Sequence, residues 1–207
     1  SNWTTTSEAT VFAKEVQKRT CSVCKTTDTR EVGNKIKATM KVSANTVPLK
    51  VKQSIRNCKV TGLAKGDSVK PWKSSNTKIV KVSGKANGTC KISAQKRTGT
   101  ARITITLKSG LKKTIKIKVQ KSAVKTTKIT GFKGGKKSIT LKKGKKFTLV
   151  PICKPISSRE KVTFTSSNKK VAKVDSKGRI KALKPGKATI TVKVGNKKAK
   201  FKVTVKK

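Results

Sequence analysis

Phe164-Thr-Ser-Ser-Asn168 opens the stretch FTSSNKKVAKVDSKGRIKALKPGKATITVKV, residues 164–194, whose pattern decides the fold. Short runs alternate apolar and polar residues and are interrupted at Asn168, Asp175-Ser-Lys-Gly178 and Lys184-Pro-Gly186. The last run places Ala188, Ile190, Val192 and Val194 on one parity with Thr and Lys between them. That is the pattern of a strand with one buried and one wet face, because successive side chains of a strand point to opposite sides.

The same order of features occurs earlier in the chain. Trp72-Lys-Ser-Ser-Asn76 aligns with Phe164-Thr-Ser-Ser-Asn168, Ile79-Val-Lys-Val82 with Val171-Ala-Lys-Val174, and Ile92-Ser-Ala94 with Ile180-Lys-Ala182. Gly99-Thr-Ala-Arg-Ile-Thr-Ile105 then aligns with Gly186-Lys-Ala-Thr-Ile-Thr-Val192. Each copy closes on an alternating strand, Lys113–Val119 and Lys198–Val205. A period of about 90 residues means tandem whole domains rather than units of a solenoid. Roughly seven short strands per copy, separated by turn residues, predict two antiparallel β-sandwiches.

Composition agrees with small β-domains. Of 207 residues 33% are hydrophobic, and the aromatics are two Trp and five Phe. Of these, Trp72, Phe147, Phe164 and Phe201 are expected inside. The charge is extreme, with 55 Lys and Arg against 7 Asp and Glu and a net +48. Only seven of the cations are Arg. Lys is a hydrated point charge suited to a solvated surface, whereas Arg is favoured where an anion is held bidentately. Much of this charge is the wet side of the sheets: Lys198, Lys200 and Lys202 alternate with Ala199, Phe201 and Val203.

Residues 122–207 resemble the bacterial immunoglobulin-like group 2 family. The likeness rests on Ile139-Thr-Leu-Lys-Lys-Gly144, Phe147-Thr-Leu149, Pro155, the Phe164–Asn168 run, Val171–Val174, Gly178–Ala182 and Lys184–Ile190. A first copy, residues 35–121, departs from the pattern where Thr98 replaces the turn proline and Ala86–Thr89 are inserted. The resemblance implies an extracellular protein of a bacterial surface, of Gram-positive type, serving as stalk or adhesin without catalysis of its own. Residues 1–34 fit neither copy. With Ala9-Thr-Val11, Arg19-Thr-Cys-Ser-Val-Cys24 and Glu31-Val32 they are similar to a small cysteine-bearing repeat of Firmicutes surface proteins, in which a further Cys stands where Val11 does here. A hairpin-like element is expected there. The short Val119–Val124 connection predicts a semi-stiff rod of two domains; a monomer is expected. No run approaches the roughly 20 apolar residues of a membrane span, and the Ser1-Asn2 start reads as that of a trimmed fragment.

Cys21 and Cys24 have the spacing of half a zinc site or of a redox pair, but a structural zinc takes four ligands and the chain has no His. The preferred reading is a disulfide or plain thiols pinning a hairpin, with a degenerate metal knuckle and a redox centre as alternatives. Under the immunoglobulin-like topology the strands carrying Cys58 and Cys90 lie side by side, which implies that these two thiols face one another and can bridge. Cys153 is expected as a small buried hydrophobe.

No catalytic residue and no cofactor are expected. The acids Glu8, Glu15, Asp28, Glu31, Asp67, Glu160 and Asp175 do not pair at a converging spacing, and neither His nor Tyr is present to act as a base. The rival to a structural role is retention of an acidic polymer, such as teichoic acid or a sulfated or acidic glycan, by lysine clusters. Lys142, Lys143, Lys145 and Lys146 are the candidate residues for that binding. Partners would be polymers or proteins of a cell wall or host surface. No specific nucleic acid is expected, since stacking platforms of exposed aromatics are missing from the pattern.

Overall fold

The computed structural model describes residues 2–207, and the described residues contain strands and turns without a helix. It forms two compact units, the first ending at Lys121 and the second running Ser122–Lys207.

In the second unit, strands Ser138–Lys142, Lys197–Lys206, Gly186–Val194 and Val162–Ser166 lie in that order in a four-stranded sheet. Opposite it stand Lys146–Thr148, Arg179–Ala182 and Ala172–Val174, and Lys128–Phe132 pairs with Pro151–Lys154 beside them. The inward parity of each strand meets in one core of Phe201, Ile180, Ile190, Val192 and Leu149, with Phe147 packed against it. Phe201 stacks on Phe147 at 5.9 Å and takes Phe132 edge-on at 5.2 Å. Each fully buried side chain of this size contributes about 1.5 to 3 kcal/mol.

The first unit repeats the arrangement. Thr46–Lys50, Lys112–Gln120, Gly99–Thr106 and Lys73–Ser74 form its four-stranded sheet, and Ser54–Ile55, Cys90–Ala94 and Val80–Gly84 face them, with Lys41–Val42 paired to Val60–Thr61. Its core is aliphatic, built on Leu49, Ile92, Ile103, Ile105, Ile115 and Ile117.

One feature of both sandwiches departs from the antiparallel expectation. The opening strand of each four-stranded sheet runs parallel to the closing one, Thr46–Lys50 along Lys116–Gln120 and Ser138–Lys142 along Lys202–Lys206. A two-residue alternation is the same for either direction, so periodicity cannot distinguish them.

The repeated Ser-Ser-Asn run has a mechanical reason. Asn168 Oδ1 accepts from the Lys170 N–H at 3.1 Å, and Asn76 Oδ1 accepts from the Lys78 N–H at 3.0 Å, each closing the turn after its strand. Ser167 Oγ accepts from the Thr189 N–H and Ser75 Oγ from the Arg102 N–H, both at 2.9 Å, which fastens that turn to the neighbouring strand. Short polar side chains that reach nearby backbone groups are what such turns require.

The N-terminal element is a three-stranded antiparallel sheet of Thr4–Ser7, Glu15–Thr20 and Thr27–Val32 rather than a hairpin. Most of its residues are exposed. It is held instead by Trp3 between the Arg19 and Arg30 guanidinium groups, 4.8 and 4.2 Å from the ring, and by Arg19 bonded to Asp28 at 2.9 Å. The Val11 N–H bonds to the Lys65 carbonyl at 3.1 Å, and Lys65 pairs with Glu8, joining this element to the first sandwich.

Candidate functional site

A groove of about 770 Å³ opens in the second unit between strand Val162–Ser166 of one sheet and strand Ala172–Val174 of the other. These are edge strands, so the sandwich is open along this side. Phe164, Val174 and Ile180 supply apolar lining. Lys146, Lys169, Lys173 and Lys181 supply positive charge, and Arg179 is bonded to Asp175 at 2.6 Å. The Arg179 backbone N–H, followed by its side chain, holds the Asp175 carboxyl below the usual range.

Phe164 was expected in the core, yet it is half-buried. Its ring rests over Gly178, where an added Cβ would stand 2.8 Å from the ring and 2.4 Å from the Leu149 carbonyl oxygen. The missing side chain at Gly178 is what lets the ring lie this close to the turn, and Phe164 packs against the core from there, as Phe147 does.

The first unit has a groove of about 440 Å³ at the same place in its fold, lined by Trp72, Lys73, Ser74, Thr77, Lys81 and Val82. These positions align with Phe164, Thr165, Ser166, Lys169, Lys173 and Val174, all of which line the larger groove. Trp72 is sunk to 6% exposure and lies against Gly84. Lys173 and Lys81, the one lysine shared by both grooves, stand at equivalent repeat positions, and that coincidence was the signal in the sequence that could have found the site.

The four candidate lysines Lys142, Lys143, Lys145 and Lys146 are all exposed, on the turn that carries the chain from strand Ser138–Lys142 to strand Lys146–Thr148. Only Lys146 among them lines the groove.

Cys21 and Cys24 occupy the turn between Glu15–Thr20 and Thr27–Val32, closed by the Cys21 N–H donating to the Thr26 carbonyl at 2.9 Å. The Thr26 hydroxyl lies 2.8 Å from Cys24 Sγ. That hydroxyl first, then the Thr26 backbone and the Cys21 side chain, bring the Cys24 thiol down to about 7. Among the described residues no group of three or more Cys, Asp or Glu is placed to hold a metal ion.

Cys58 and Cys90 are both buried free thiols. The pairing of Lys59 with Thr89 sets them across from one another, and the Cys90 thiol donates to the Cys58 carbonyl oxygen at 3.0 Å. The hydrogen bond shared with Cys58, together with burial, pushes the Cys90 thiol upward. The inserted Ala86–Thr89 lengthen the hairpin and carry Cys90 into the strand, where it also pairs with Gly84. Cys153 is half-buried, and burial raises it, with Glu160 adding to the effect.

Residues 123–205 match the model of the bacterial Ig-like domain (group 2). A curated relative, the kappa-carrageenase of Pseudoalteromonas carrageenovora, is 46% identical over 67 residues, which is 32% of this chain and 17% of the enzyme. The matched part thus spans about a sixth of that relative's length. Among solved structures, domains 5–6 of the S-layer protein SbsC align with 82% of this chain and 98% of theirs, at 17% identity and a TM-score of 0.43. A C-terminal intimin fragment, solved with the intimin-binding domain of its receptor Tir, aligns with 82% of this chain and 64% of its own at 17% identity and a TM-score of 0.29. The second unit, over residues 123–205, is a bacterial Ig-like domain of group 2.

Proposed function

We propose that this chain is a non-catalytic structural module of a bacterial cell surface, a stalk or adhesion region of Gram-positive type built from tandem group 2 Ig-like domains and acting as a monomer. The observation that carries this reading is the parallel pairing of the opening and closing strands of each four-stranded sheet, Thr46–Lys50 with Lys116–Gln120 and Ser138–Lys142 with Lys202–Lys206. Tension drawn along the chain slides such strands past one another, so their hydrogen bonds are loaded together. An antiparallel pair joined at one end would be opened one bond at a time. A domain that must transmit force without extending is served by the first arrangement.

The acids support a non-catalytic reading. Asp175 is bound to Arg179, Asp28 to Arg19 and Glu8 to Lys65, and Asp67 accepts from the Ser109 hydroxyl at 2.6 Å. Each is engaged in holding a turn, a pair of strands or two distant segments of the chain together. The likeness to a stretch of kappa-carrageenase covers too small a part of that enzyme to bring its chemistry with it.

A second reading, retention of an acidic polymer, is favoured by the cationic groove of the second unit.

Surface location is tested on intact cells that produce the protein. Brief trypsin treatment of those cells should release peptides of this chain and antibody should label them unbroken. A signal seen only after lysis would overturn the reading.

A further inference from the structure

We propose that the groove of the second unit is a subsite for one anionic polysaccharide chain, with the smaller groove of the first unit as its weaker counterpart. The proposal rests on the polymer-retention reading and adds the site and the chemistry of the ligand. A volume of about 770 Å³ is within the range of ligand pockets.

Three lysines form a row across the outer face of one sheet beside the groove. Lys181 stands directly opposite Lys146 on one neighbouring strand and directly opposite Lys173 on the other. Like charges placed opposite one another in a sheet are destabilising. The groove's one carboxylate, Asp175, is already bonded to Arg179. The first unit shows the relaxed alternative: the same row there is Ser54, Ser93 and Lys81, and the Ser54 hydroxyl bonds to the Ser93 hydroxyl at 2.9 Å. A wet sheet face of this fold therefore does not need the lysine row. An anionic chain laid along it would relieve the repulsion and release the counterions that screen it.

The lining selects the kind of anion. Phe164 keeps part of its ring at the surface, beside Val174. An apolar face edged by point charges fits a sugar ring, whose C–H face packs on the aromatic while its acidic substituents reach the ammonium groups. A single aromatic offers no platform for successive bases, which single-stranded nucleic acid binding uses.

The test uses the whole chain with its thiols reduced, and calorimetric titration at about 0.15 M salt, where diffuse surface attraction is screened beyond about 8 Å. The probes are a heparin-derived octasaccharide, an octamer of galacturonic acid, a neutral oligosaccharide and oligothymidylate of matched charge. Lys169→Gln, Lys173→Gln and Lys181→Gln together should weaken binding of the preferred acidic sugar by about tenfold or more. Lys142→Gln, Lys143→Gln and Lys145→Gln together, on the same unit outside the groove, should weaken it by less than about twofold. Phe164→Leu retains apolar volume and all charge, and should weaken it by about threefold or more with the β circular dichroism unchanged. Preference for the sulfated or for the carboxylated sugar supports the proposal and identifies the acidic group. Equal losses from the two lysine triples, equal competition by oligothymidylate, or no binding of either acidic sugar would overturn it and leave the structural reading untouched.

Discussion

Cys90 faces Cys58 across adjacent chain segments in the core of the first unit, its thiol donating to the Cys58 carbonyl oxygen at 3.0 Å. Two buried thiols in this relation become a bridge when their two S–H bonds break, two electrons pass to an external oxidant such as a disulfide, and two protons are released. We expect the protein recovered from an oxidising compartment to carry a Cys58–Cys90 disulfide. Closing a loop of this length stabilises by about 3 to 4 kcal/mol through the unfolded chain. Non-reducing peptide mapping should find the linked pair, and reductant should lower the melting temperature of the first unit. Both thiols alkylating freely in unreduced, denatured protein would refute the bridge.

Cys24 should be the reactive thiol. It is exposed, and its neighbours Thr26 and Cys21 bring it to about 7. The alkylation rate should rise with pH to a midpoint near 7, against about 8.5 for an ordinary thiol. Thr26→Val removes the first of those hydrogen bonds and should move the midpoint upward.

Gly178 should tolerate no side chain. It has φ +76°, and a Cβ would meet both the Leu149 carbonyl oxygen and the Phe164 ring. Gly178→Ala should cost about 2 to 4 kcal/mol, in the second unit alone. Trp72 belongs to the first unit, so its fluorescence transition should stay in place while the second unit's calorimetric transition moves down.

Much of this architecture was legible in the chain. The parity of Ile103 and Ile105, and of Val203 and Val205, foretold which residues would be buried. The Ser-Ser-Asn runs marked equivalent turns because the turn itself needs those short acceptors. The direction of Ser138–Lys142 was hidden, since pairing direction depends on which strand a segment meets and not on its own pattern. The groove was hidden for a related reason. It is made by two strands at the edges of different sheets, and Phe164 has the inward parity of a core residue although its edge strand leaves it half-buried. The first N-terminal strand, Thr4–Ser7, is polar on both sides and carries no apolar period to reveal it.

Acid should weaken the second unit through Asp175. The Arg179 backbone N–H and then its side chain hold that carboxyl low. A carboxylate whose pKa is lower folded than unfolded stabilises above its unfolded value, about 3.9, and loses that contribution as pH falls through the folded one. The melting temperature of this unit should therefore fall below about pH 4, and Asp175→Asn should flatten that slope.

The most direct test of the structural role is to pull single reduced molecules by their ends. The parallel strand pairs of the two units predict two separate unfolding events at distinct, substantial force, each lengthening the chain by roughly 250 to 300 Å. A single event for the whole chain, or extension without a resolvable force peak, would contradict it.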